Sequence, residues 1–316
     1  MEKKKYFDVI QVYRGIAALL VVVHHTYASF EHFHDFNIPT LGFLAKIGKL
    51  GVDFFFVLSG FIITYTTFKY RGDRGYLKKY FSARVLRIYI PYLPIAIPSG
   101  NPVLSVAWTL VFEMFFYVVY ALNFFSKKLW YFFLTGWIVC ILSASVFNLK
   151  STIPMVQNFL NLYNLEFILG VLIAYLIKSK YKPDFKVIFP LALGGILVFL
   201  YMRYFNISLF AFSQNLMFSL CMGLFVILAI YFWNKQLNAK NVFMLLGNSS
   251  YSLYLLHNPL QSVLVRVVPK LNIQLFILIE FLMVIVTITF VSYLYYLIFE
   301  KKIISMVKEK LDIYLA

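Results

Sequence analysis

The sequence predicts an all-α, polytopic transmembrane helix bundle, and three observations support this class. Of its 316 residues, 62% are hydrophobic and only 13% are charged, whereas soluble domains are about 45–50% apolar and about 25% charged. The mean hydropathy is +0.80. The apolar runs are long enough for spanning helices and lack the alternation of barrel strands. We therefore expect an integral membrane protein.

The apolar runs predict nine spanning helices. Because they fill most of the chain, we predict one integral membrane domain over residues 1–316. The N-terminal segment has a basic start and an apolar centre, but this centre is short and two histidines follow it, so we do not expect a cleaved signal peptide. The predicted spans are 13–30, 50–68, 103–125, 129–147, 159–177, 186–203, 209–232, 242–265 and 274–299.

The basic residues lie between the apolar runs, which argues against a nucleic-acid partner despite a net charge of +16. This placement is typical of residues that set topology and contact anionic lipid or an anionic cofactor. Cys140 and Cys221 both fall inside apolar runs, so no disulfide framework is expected.

The distribution of Lys and Arg predicts the topology. Segments 3–14 and 69–87 are basic, whereas the loop 31–49 carries only Lys46 and Lys49, so the N-terminus is predicted to be cytoplasmic. With nine spans, the 29 basic residues divide almost evenly between the two sides. One more crossing between Arg87 and Trp108 places most of them, and the C-terminus, in the cytoplasm.

Residues 88–102 would have to contain this additional crossing. They include four prolines and are too short for an ordinary spanning helix. An extended crossing of about ten residues, at about 3.1 Å each, would just reach across, provided that protein buries it. The alternative is that the chain has lost a helix. The sequence leaves both interpretations open.

Arg14 and His25 are the first candidate site residues. They are eleven positions apart, so on a helix they lie within about 20° of the same face and about 16 Å apart along the axis. An ionisable residue inside a membrane segment indicates a functional site, and an imidazole can take a hydroxyl proton near neutral pH. His25 is therefore a candidate base and His24 its structural neighbour, although a hydrogen-bonded core histidine is the alternative interpretation.

The second predicted span begins with Gly51 and carries Asp53 about one turn inside its boundary. Asp53 is either a helix-start carboxylate, stabilised by the macrodipole, or a group that orients a histidine or binds a sugar hydroxyl. Ser59 and Gly60 follow, and such a pair is more often a helix-packing surface than a site.

Arg84 and Arg87 lie three positions apart, on one face of a helix. They are either a positive-inside anchor or a clamp for the phosphates of a cytosolic cofactor, since arginine matches phosphate oxygens bidentately.

Glu113 follows Trp108 and is expected near the middle of the membrane. A buried carboxylate there must be protonated, paired or facing water. Glu166 and Glu280 raise the same question in later spans, but their sequence context is less distinctive.

Tyr251, Ser252 and His257 form a polar stripe in the eighth predicted span, which a polar helix interface would also explain. The sequence contains no Gly-rich phosphate loop, no metal-ligand spacing of Cys or His and no Gly-x-Ser-x-Gly motif. No metal site is therefore expected.

Together these segments resemble the membrane acyltransferase-3 family, which O-acylates surface carbohydrates and related acceptors. Five blocks match the family's motifs in the correct order. They are the Arg–ten residues–His pair Arg14 and His25, the second-span block Gly51–Phe61, the arginine motif Arg84–Ile88, the block Trp108–Glu113 and the block Ser250–His257. The residues after Trp108 are similar to the branch that modifies bacterial exopolysaccharides and the O-antigens of lipopolysaccharide.

The resemblance implies transfer of an acyl group, with acetyl the first candidate, from cytosolic acyl-CoA to a carbohydrate hydroxyl. His25 would be the catalytic base, with Asp53 and Glu113 helping to build the site. The residues implied to bind acyl-CoA are Arg14, Arg84 and Arg87, and those implied to line the site are His24, Ser59, Trp108, Tyr251, Ser252 and His257.

The resemblance also implies the location and partners. We expect a multi-pass protein of the bacterial plasma membrane that uses acyl-CoA as co-substrate and has no tightly bound cofactor. The expected partners are the carbohydrate acceptor and membrane lipid, with a second copy of the chain or polysaccharide-assembly proteins as further candidates. Family members usually have ten spans. Some relatives carry a C-terminal Ser-Gly-Asn-His hydrolase-like domain, which we do not expect in this sequence.

Two other hypotheses stay open. A transporter of a glycan or lipid carrier would use His25, Glu113, Glu166 and Glu280 as a proton relay, but the repeats typical of transporters are not evident in the sequence. A non-catalytic family member that lacks one helix is suggested by the short segment 88–102.

Overall fold

The computed structural model describes residues 8–34, 36–96, 106–149, 151–179, 181–207, 213–233, 241–267 and 277–307. All regular structure in these ranges is helical, which confirms the predicted all-α class. The chain forms two compact units. The first unit comprises residues 1–52, 83–107 and 235–316, and the second comprises residues 53–82 and 108–234.

Several helices begin at residues whose side chains cap the first turn. Ser126, Asp184 and Asn241 each accept a hydrogen bond from a main-chain N–H of the helix that follows. The helices in the described ranges are α1 (Asp8–His34), α2 (Pro39–Gly48), α3 (Gly51–Thr67), α4 (Leu77–Ala96), α5 (Ala107–Tyr120), α6 (Lys127–Val146), α7 (Pro154–Phe159), α8 (Tyr163–Lys178), α9 (Phe185–Tyr204), α10 (Ser213–Phe232), α11 (Val242–Asn248), α12 (Ser250–Val267) and α13 (Ile277–Tyr295), and a π-helical turn (Tyr296–Lys301) extends α13.

Seven helical stretches in the described ranges are long and apolar enough to cross a membrane, and they correspond to seven of the nine predicted spans. The two other predictions need correction. In place of the predicted span 159–177, the structure has the helix α8, which contains only 16 residues. The predicted span 242–265 is divided into α11 and α12 at Ser249. The seven stretches are Asp8–His34, Pro39–Tyr70, Ala107–Phe124, Lys127–Val146, Phe185–Tyr204, Gln214–Phe232 and Ile277–Val307.

Local hydrogen bonds explain both differences. Before α8, the Asn164 amide donates to the main-chain carbonyls of Asn158 and Asn161, at 2.6 and 3.0 Å, so a polar turn replaces the expected first helical turn. At the break between α11 and α12, the Ser249 hydroxyl donates to the carbonyl of Leu245 at 2.9 Å. Short polar side chains of this kind compete with the regular helical ladder.

Residues 88–96 are helical, so the extended crossing, one of the two interpretations left open for this segment, is wrong over that range. They form the second half of α4, a helix of 20 residues that is about 30 Å long. Pro91 and Pro94 lie inside it, and neighbouring tyrosines hold this stretch. Tyr251 donates to the carbonyl of Ile88 at 3.1 Å, and Tyr295 donates to the carbonyl of Pro91 at 2.7 Å. Residues 97–102 lie outside the described ranges.

The first unit is built around α1, which packs against α2, α11, α12 and α13. Small residues on α1 allow this close packing, and Ala17 and Ala18 are fully buried. Gly15 of α1 lies so close to Gly247 of α11 that a Cβ atom at position 15 would overlap the main chain there. Small residues that let helix backbones approach are typical of packing in membranes.

The second unit contains nearly all of α3 and the helices α5 to α10. Its core is rich in aromatic side chains, which together bury large apolar areas. Phe116 of α5 and Phe167 of α8 stack with their ring centroids 4.5 Å apart. Gly60 of α3 lies directly against the main chain of Phe167, and Gly170 lies against the carbonyl of Val57. The backbones of α3 and α8 are therefore in contact.

Candidate functional site

His25 lies half-buried on α1, and a main-chain carbonyl orients its ring. Its Nδ1 lies 2.9 Å from the carbonyl oxygen of Val21. Because a carbonyl oxygen only accepts hydrogen bonds, Nδ1 carries the proton in the neutral ring and Nε2 keeps its lone pair. In the described part of the chain, no side chain or carbonyl hydrogen-bonds to Nε2 of His25. This is the form in which an imidazole accepts a proton.

Three imidazoles, those of His24, His25 and His257, form a histidine cluster in the first unit. The ring centroid of His25 lies 5.0 Å from that of His24 and 5.0 Å from that of His257. The Nδ1 of His24 lies 2.9 Å from the carbonyl of Ala45, and the Nδ1 of His257 lies 2.6 Å from the carbonyl of Tyr254. Each ring of the histidine cluster is therefore held by a main-chain carbonyl through its Nδ1 atom.

His257 is fully buried on α12. Within the described residues, its Nε2 has no hydrogen-bond partner. A buried nitrogen with an unused lone pair is unusual in proteins and indicates a role beyond packing. The structure thus places His257 beside His25, whereas the resemblance implied only that it lines the site.

Gln261 is a residue that the sequence analysis missed. It lies one turn beyond His257 on α12, and its Nε2 donates to the main-chain carbonyl of His25 at 2.8 Å and to the hydroxyl of Ser29. Gln261 therefore fixes the position of α1 at the histidine cluster. The sequence did contain one signal for this residue, an amide side chain four positions after His257 and therefore on the same face of the helix.

The predicted arginines, Arg14, Arg84 and Arg87, also belong to the first unit. All three are half-buried. Arg14 donates through Nη1 to Oε1 of the buried Gln11 at 3.0 Å. Arg84 and Arg87 occupy successive turns of one face of α4.

Glu300, an acid that the sequence analysis did not consider, also belongs to the first unit. The hydroxyl of Ser252 donates to Oε2 of Glu300 at 2.6 Å. Ser252, one of the predicted site residues, is therefore in contact with an acid 48 positions further along the chain.

In the second unit, Glu113 of α5 is held by two hydroxyl groups. The hydroxyl of Ser59 donates to its Oε1 at 3.1 Å, and the hydroxyl of Tyr117 donates to the same oxygen. Trp108, one turn before Glu113, is 44% exposed, and its ring lies 5.6 Å from that of Tyr163.

Asp53 and Glu166 are the most deeply buried acids of the second unit, with exposed fractions of 3% and 0%. The amide of Asn215 donates to Oδ1 of Asp53 at 2.8 Å, and the hydroxyl of Ser219 donates to Oε1 of Glu166 at 3.1 Å. The carboxyl groups of Asp53 and Glu166 lie close enough to interact with each other. Neither Asn215 nor Ser219 was singled out from the sequence, because a lone amide or hydroxyl on an apolar helix is a common packing residue.

The predicted site residues thus divide between the two units. The imidazoles and arginines belong to the first unit, with two residues of the polar stripe, and the predicted acids belong to the second. The first unit contains Arg14, His24, His25, Arg84, Arg87, Tyr251, Ser252 and His257, and the second contains Asp53, Ser59, Trp108 and Glu113.

Long apolar helices that carry imidazoles, guanidinium groups and carboxylates are typical of integral membrane proteins with polar groups among their spanning helices. The sequence matches the acyltransferase domain of the acyltransferase-3 family over residues 7–98 and 94–297, which together cover most of the chain. The chain belongs to this family, and its class of activity is acyl transfer. Neither the search of curated proteins nor the search of solved structures gave a match.

Proposed function

We propose that this protein transfers an acyl group, with acetyl as the first candidate, from cytosolic acyl-CoA to a hydroxyl of a cell-surface or lipid-linked carbohydrate. The observation that carries the proposal is the orientation of His25. Its Nδ1 faces the carbonyl of Val21, so Nε2 has the lone pair that a general base requires. Membership of the acyltransferase-3 family supplies the class of reaction.

In the proposed reaction, Nε2 of His25 takes the proton of the acceptor hydroxyl. The hydroxyl oxygen attacks the thioester carbonyl carbon, a C–O bond forms, and the C–S bond breaks. The leaving thiolate then takes the proton from the imidazolium ring of His25, which yields free CoA and regenerates the neutral base. Base catalysis of this kind typically contributes about 10²–10⁴-fold to the rate.

Arg14, Arg84 and Arg87 are the residues that we propose bind the phosphates of the donor. Arginine forms charge-assisted and often bidentate hydrogen bonds to phosphate oxygens. The hydrogen bond from Arg14 to Gln11 supports this role, because it holds the guanidinium group of Arg14 in a defined position.

In the second unit, we assign to Glu113 and Asp53 the binding of hydroxyl groups of the acceptor. A carboxylate is a strong acceptor of hydrogen bonds from hydroxyls, and Glu113 already accepts two of them. This role explains why acids are retained in an apolar unit, where their burial is costly.

We place the protein in the bacterial plasma membrane with both termini cytoplasmic, and its acceptor among exopolysaccharides or O-antigens. The support is the positive-inside count and the similarity of the Trp108–Glu113 block to that branch. Residues 1–7 and 308–316 lie outside the described ranges.

The proposal is tested with purified protein, acetyl-CoA and a panel of lipid-linked glycans. Release of CoA is followed together with mass analysis of the glycan. We expect CoA release that depends on glycan and a product heavier by one acetyl group. A matched donor, acetyl-pantetheine, carries the same thioester without the nucleotide phosphates and should support the same reaction only at much higher concentration.

The buried acid pair Asp53 and Glu166 favours one alternative, a glycan transporter with a proton relay. The same preparation separates the two functions. Movement of unmodified glycan into sealed vesicles, with no acyl product and no CoA release, would favour transport.

A further inference from the structure

Arg71 of the second unit directly follows the spanning stretch Pro39–Tyr70, and three neighbours hold its guanidinium group. Its Cζ atom lies 3.6 Å from the centroid of the Phe68 ring and 5.4 Å from the centroid of the Tyr175 ring. Its Nε donates to the carbonyl of Phe68 at 3.1 Å, and its Nη1 donates to the hydroxyl of Tyr131 at 2.7 Å. Stacking and hydrogen bonds together fix a planar guanidinium group, so Arg71 is oriented before any ligand binds.

A second cation, the ammonium group of Lys178 on α8, lies near the same ring. Its Nζ atom is 5.9 Å from the centroid of Phe68 and 3.8 Å from the centroid of Tyr65. In the part of the chain that the structure describes, no carboxylate is paired with either cation. Asp73, the acid nearest to Arg71 in the sequence, accepts a main-chain hydrogen bond instead. Two positive charges at one ring repel each other, and an anion that contacts both would remove this repulsion.

The guanidinium group of Arg71 has donors left for such an anion. Arginine carries five N–H donors, and Phe68 and Tyr131 take two of them. Those that remain can match two oxygens of one phosphate group, which arginine often binds bidentately. Lys178 would add a further charge-assisted hydrogen bond. The ligand class that fits these two cations is therefore a phosphate group.

The position of the two cations indicates where the phosphate group comes from. Arg71 follows the last residue of the spanning stretch Pro39–Tyr70, and its partner Tyr131 lies one turn inside the spanning stretch Lys127–Val146. The ends of spanning helices lie at the level of the lipid headgroups, where tyrosines and basic residues are enriched. Anionic headgroups attract basic residues at this level, so a phospholipid is the source that the position favours.

We propose that Arg71 and Lys178 form a binding site for the phosphate group of an anionic phospholipid, which we call the headgroup site. The bound phosphate neutralises the two cations and links the end of α3, through Arg71, to the end of α8, through Lys178. This proposal does not depend on acyl transfer, because the headgroup site contains none of the residues assigned to the donor, the acceptor or the base.

The experiment follows thermal unfolding of the purified full chain in detergent while phosphatidylglycerol is added. Phosphatidylcholine with the same acyl chains is the matched lipid, because its choline group cancels the charge of its phosphate. We expect phosphatidylglycerol to raise the unfolding temperature with saturation and phosphatidylcholine to have little effect. In the variant Arg71→Gln, the half-saturating concentration of phosphatidylglycerol should rise by about tenfold, because charge-assisted hydrogen bonds are lost.

A control variant distinguishes the headgroup site from a general attraction between anionic lipid and the basic surface. Arg74→Gln removes the same charge three residues later, at an exposed position, and should change the half-saturating concentration by less than about twofold. Equal weakening by Arg71→Gln and Arg74→Gln overturns the proposal. A wild-type protein that phosphatidylglycerol does not stabilise overturns it as well.

Inorganic phosphate, titrated at constant ionic strength, separates a lipid from a soluble ligand. We expect it to stabilise the wild-type protein less than phosphatidylglycerol does. Stabilisation by inorganic phosphate that Arg71→Gln abolishes, with no response to phosphatidylglycerol, would show a soluble phosphate ligand and overturn the lipid assignment.

A second variant, Lys178→Gln, covers the case in which Arg71→Gln does not fold. Lys178 is exposed, and its replacement leaves the hydrogen bonds of Arg71 in place. The half-saturating concentration of phosphatidylglycerol should rise by about fivefold. Lys186→Gln removes the same charge at another exposed position and should bind phosphatidylglycerol like the wild type. Equal binding by the two lysine variants overturns the proposal.

Discussion

The two units of this acyltransferase hold their polar groups in different ways. In the first unit, the imidazoles of His24, His25 and His257 are held by main-chain carbonyls through Nδ1. In the second unit, the carboxylates of Glu113, Asp53 and Glu166 accept hydrogen bonds from side-chain hydroxyl and amide groups.

Under the proposed function, this difference assigns different roles to the two units. A ring anchored at Nδ1 keeps Nε2 for a reacting proton, so the first unit is suited to proton transfer. A carboxylate that already accepts hydroxyl groups is suited to recognising more of them, as on a carbohydrate. We therefore expect substitutions in the first unit to change the chemical step or the use of donor, and substitutions in the second to change folding or the use of acceptor.

The largest expected effect is on the folding of the second unit. The variant Gly60→Ala places a Cβ atom against the main chain of Phe167, where no side-chain rotation can relieve the overlap. We expect a loss of at least about 3 kcal/mol of stability, seen as little folded protein in the membrane fraction. The control Gly136→Ala adds the same atom where nothing lies within 4 Å. Equal folded yields of the two variants would contradict the backbone contact between α3 and α8.

A smaller effect is expected for Arg87→Gln in the first unit. Loss of a charge-assisted hydrogen bond to phosphate costs about 1.5–3 kcal/mol, so KM for acetyl-CoA should rise by about 10–100-fold with kcat nearly unchanged. Reaction with acetyl-pantetheine should not change. Lys79→Gln, on the exposed part of the same helix, serves as control. An unchanged KM for acetyl-CoA would remove Arg87 from the donor site.

The smallest effect is expected for Tyr117→Phe in the second unit. The variant removes one of the two hydroxyl groups that hold Glu113. One hydrogen bond is worth about 1 kcal/mol, so KM for the glycan should rise by about fivefold, while KM for the donor stays the same. Tyr201→Phe makes the same change at an exposed residue. A change in donor KM instead would show that Glu113 does not bind the acceptor.

Hydropathy predicted much of this structure, because long apolar runs have few alternatives to helices in lipid. The helix through Pro91 and Pro94 was not predictable in the same way. Prolines disfavour helix locally, and the tyrosines that hold this stretch, Tyr251 and Tyr295, come from distant parts of the chain. The two matched family segments also meet here, at residues 94–98.

The candidate site was predicted less completely than the fold. His25 and His257 are 232 positions apart in the sequence, and only packing of α1 against α12 brings their rings together. The contact of Glu300 with Ser252 could not be predicted either, because the two residues are 48 positions apart and the π-helical turn that carries Glu300 is not visible in the sequence. The division of the predicted residues between two units likewise depends on tertiary contacts.

The base role of His25 is tested most directly by chemical rescue. The variant His25→Ala, checked for an unchanged unfolding temperature, should transfer the acyl group about 10²–10⁴-fold more slowly than the wild type. Added free imidazole should restore part of the rate with saturation, whereas it should not accelerate the control His32→Ala, which changes an exposed histidine of the same helix. A folded His25→Ala protein that acylates the glycan at the wild-type rate without imidazole would contradict the proposed mechanism.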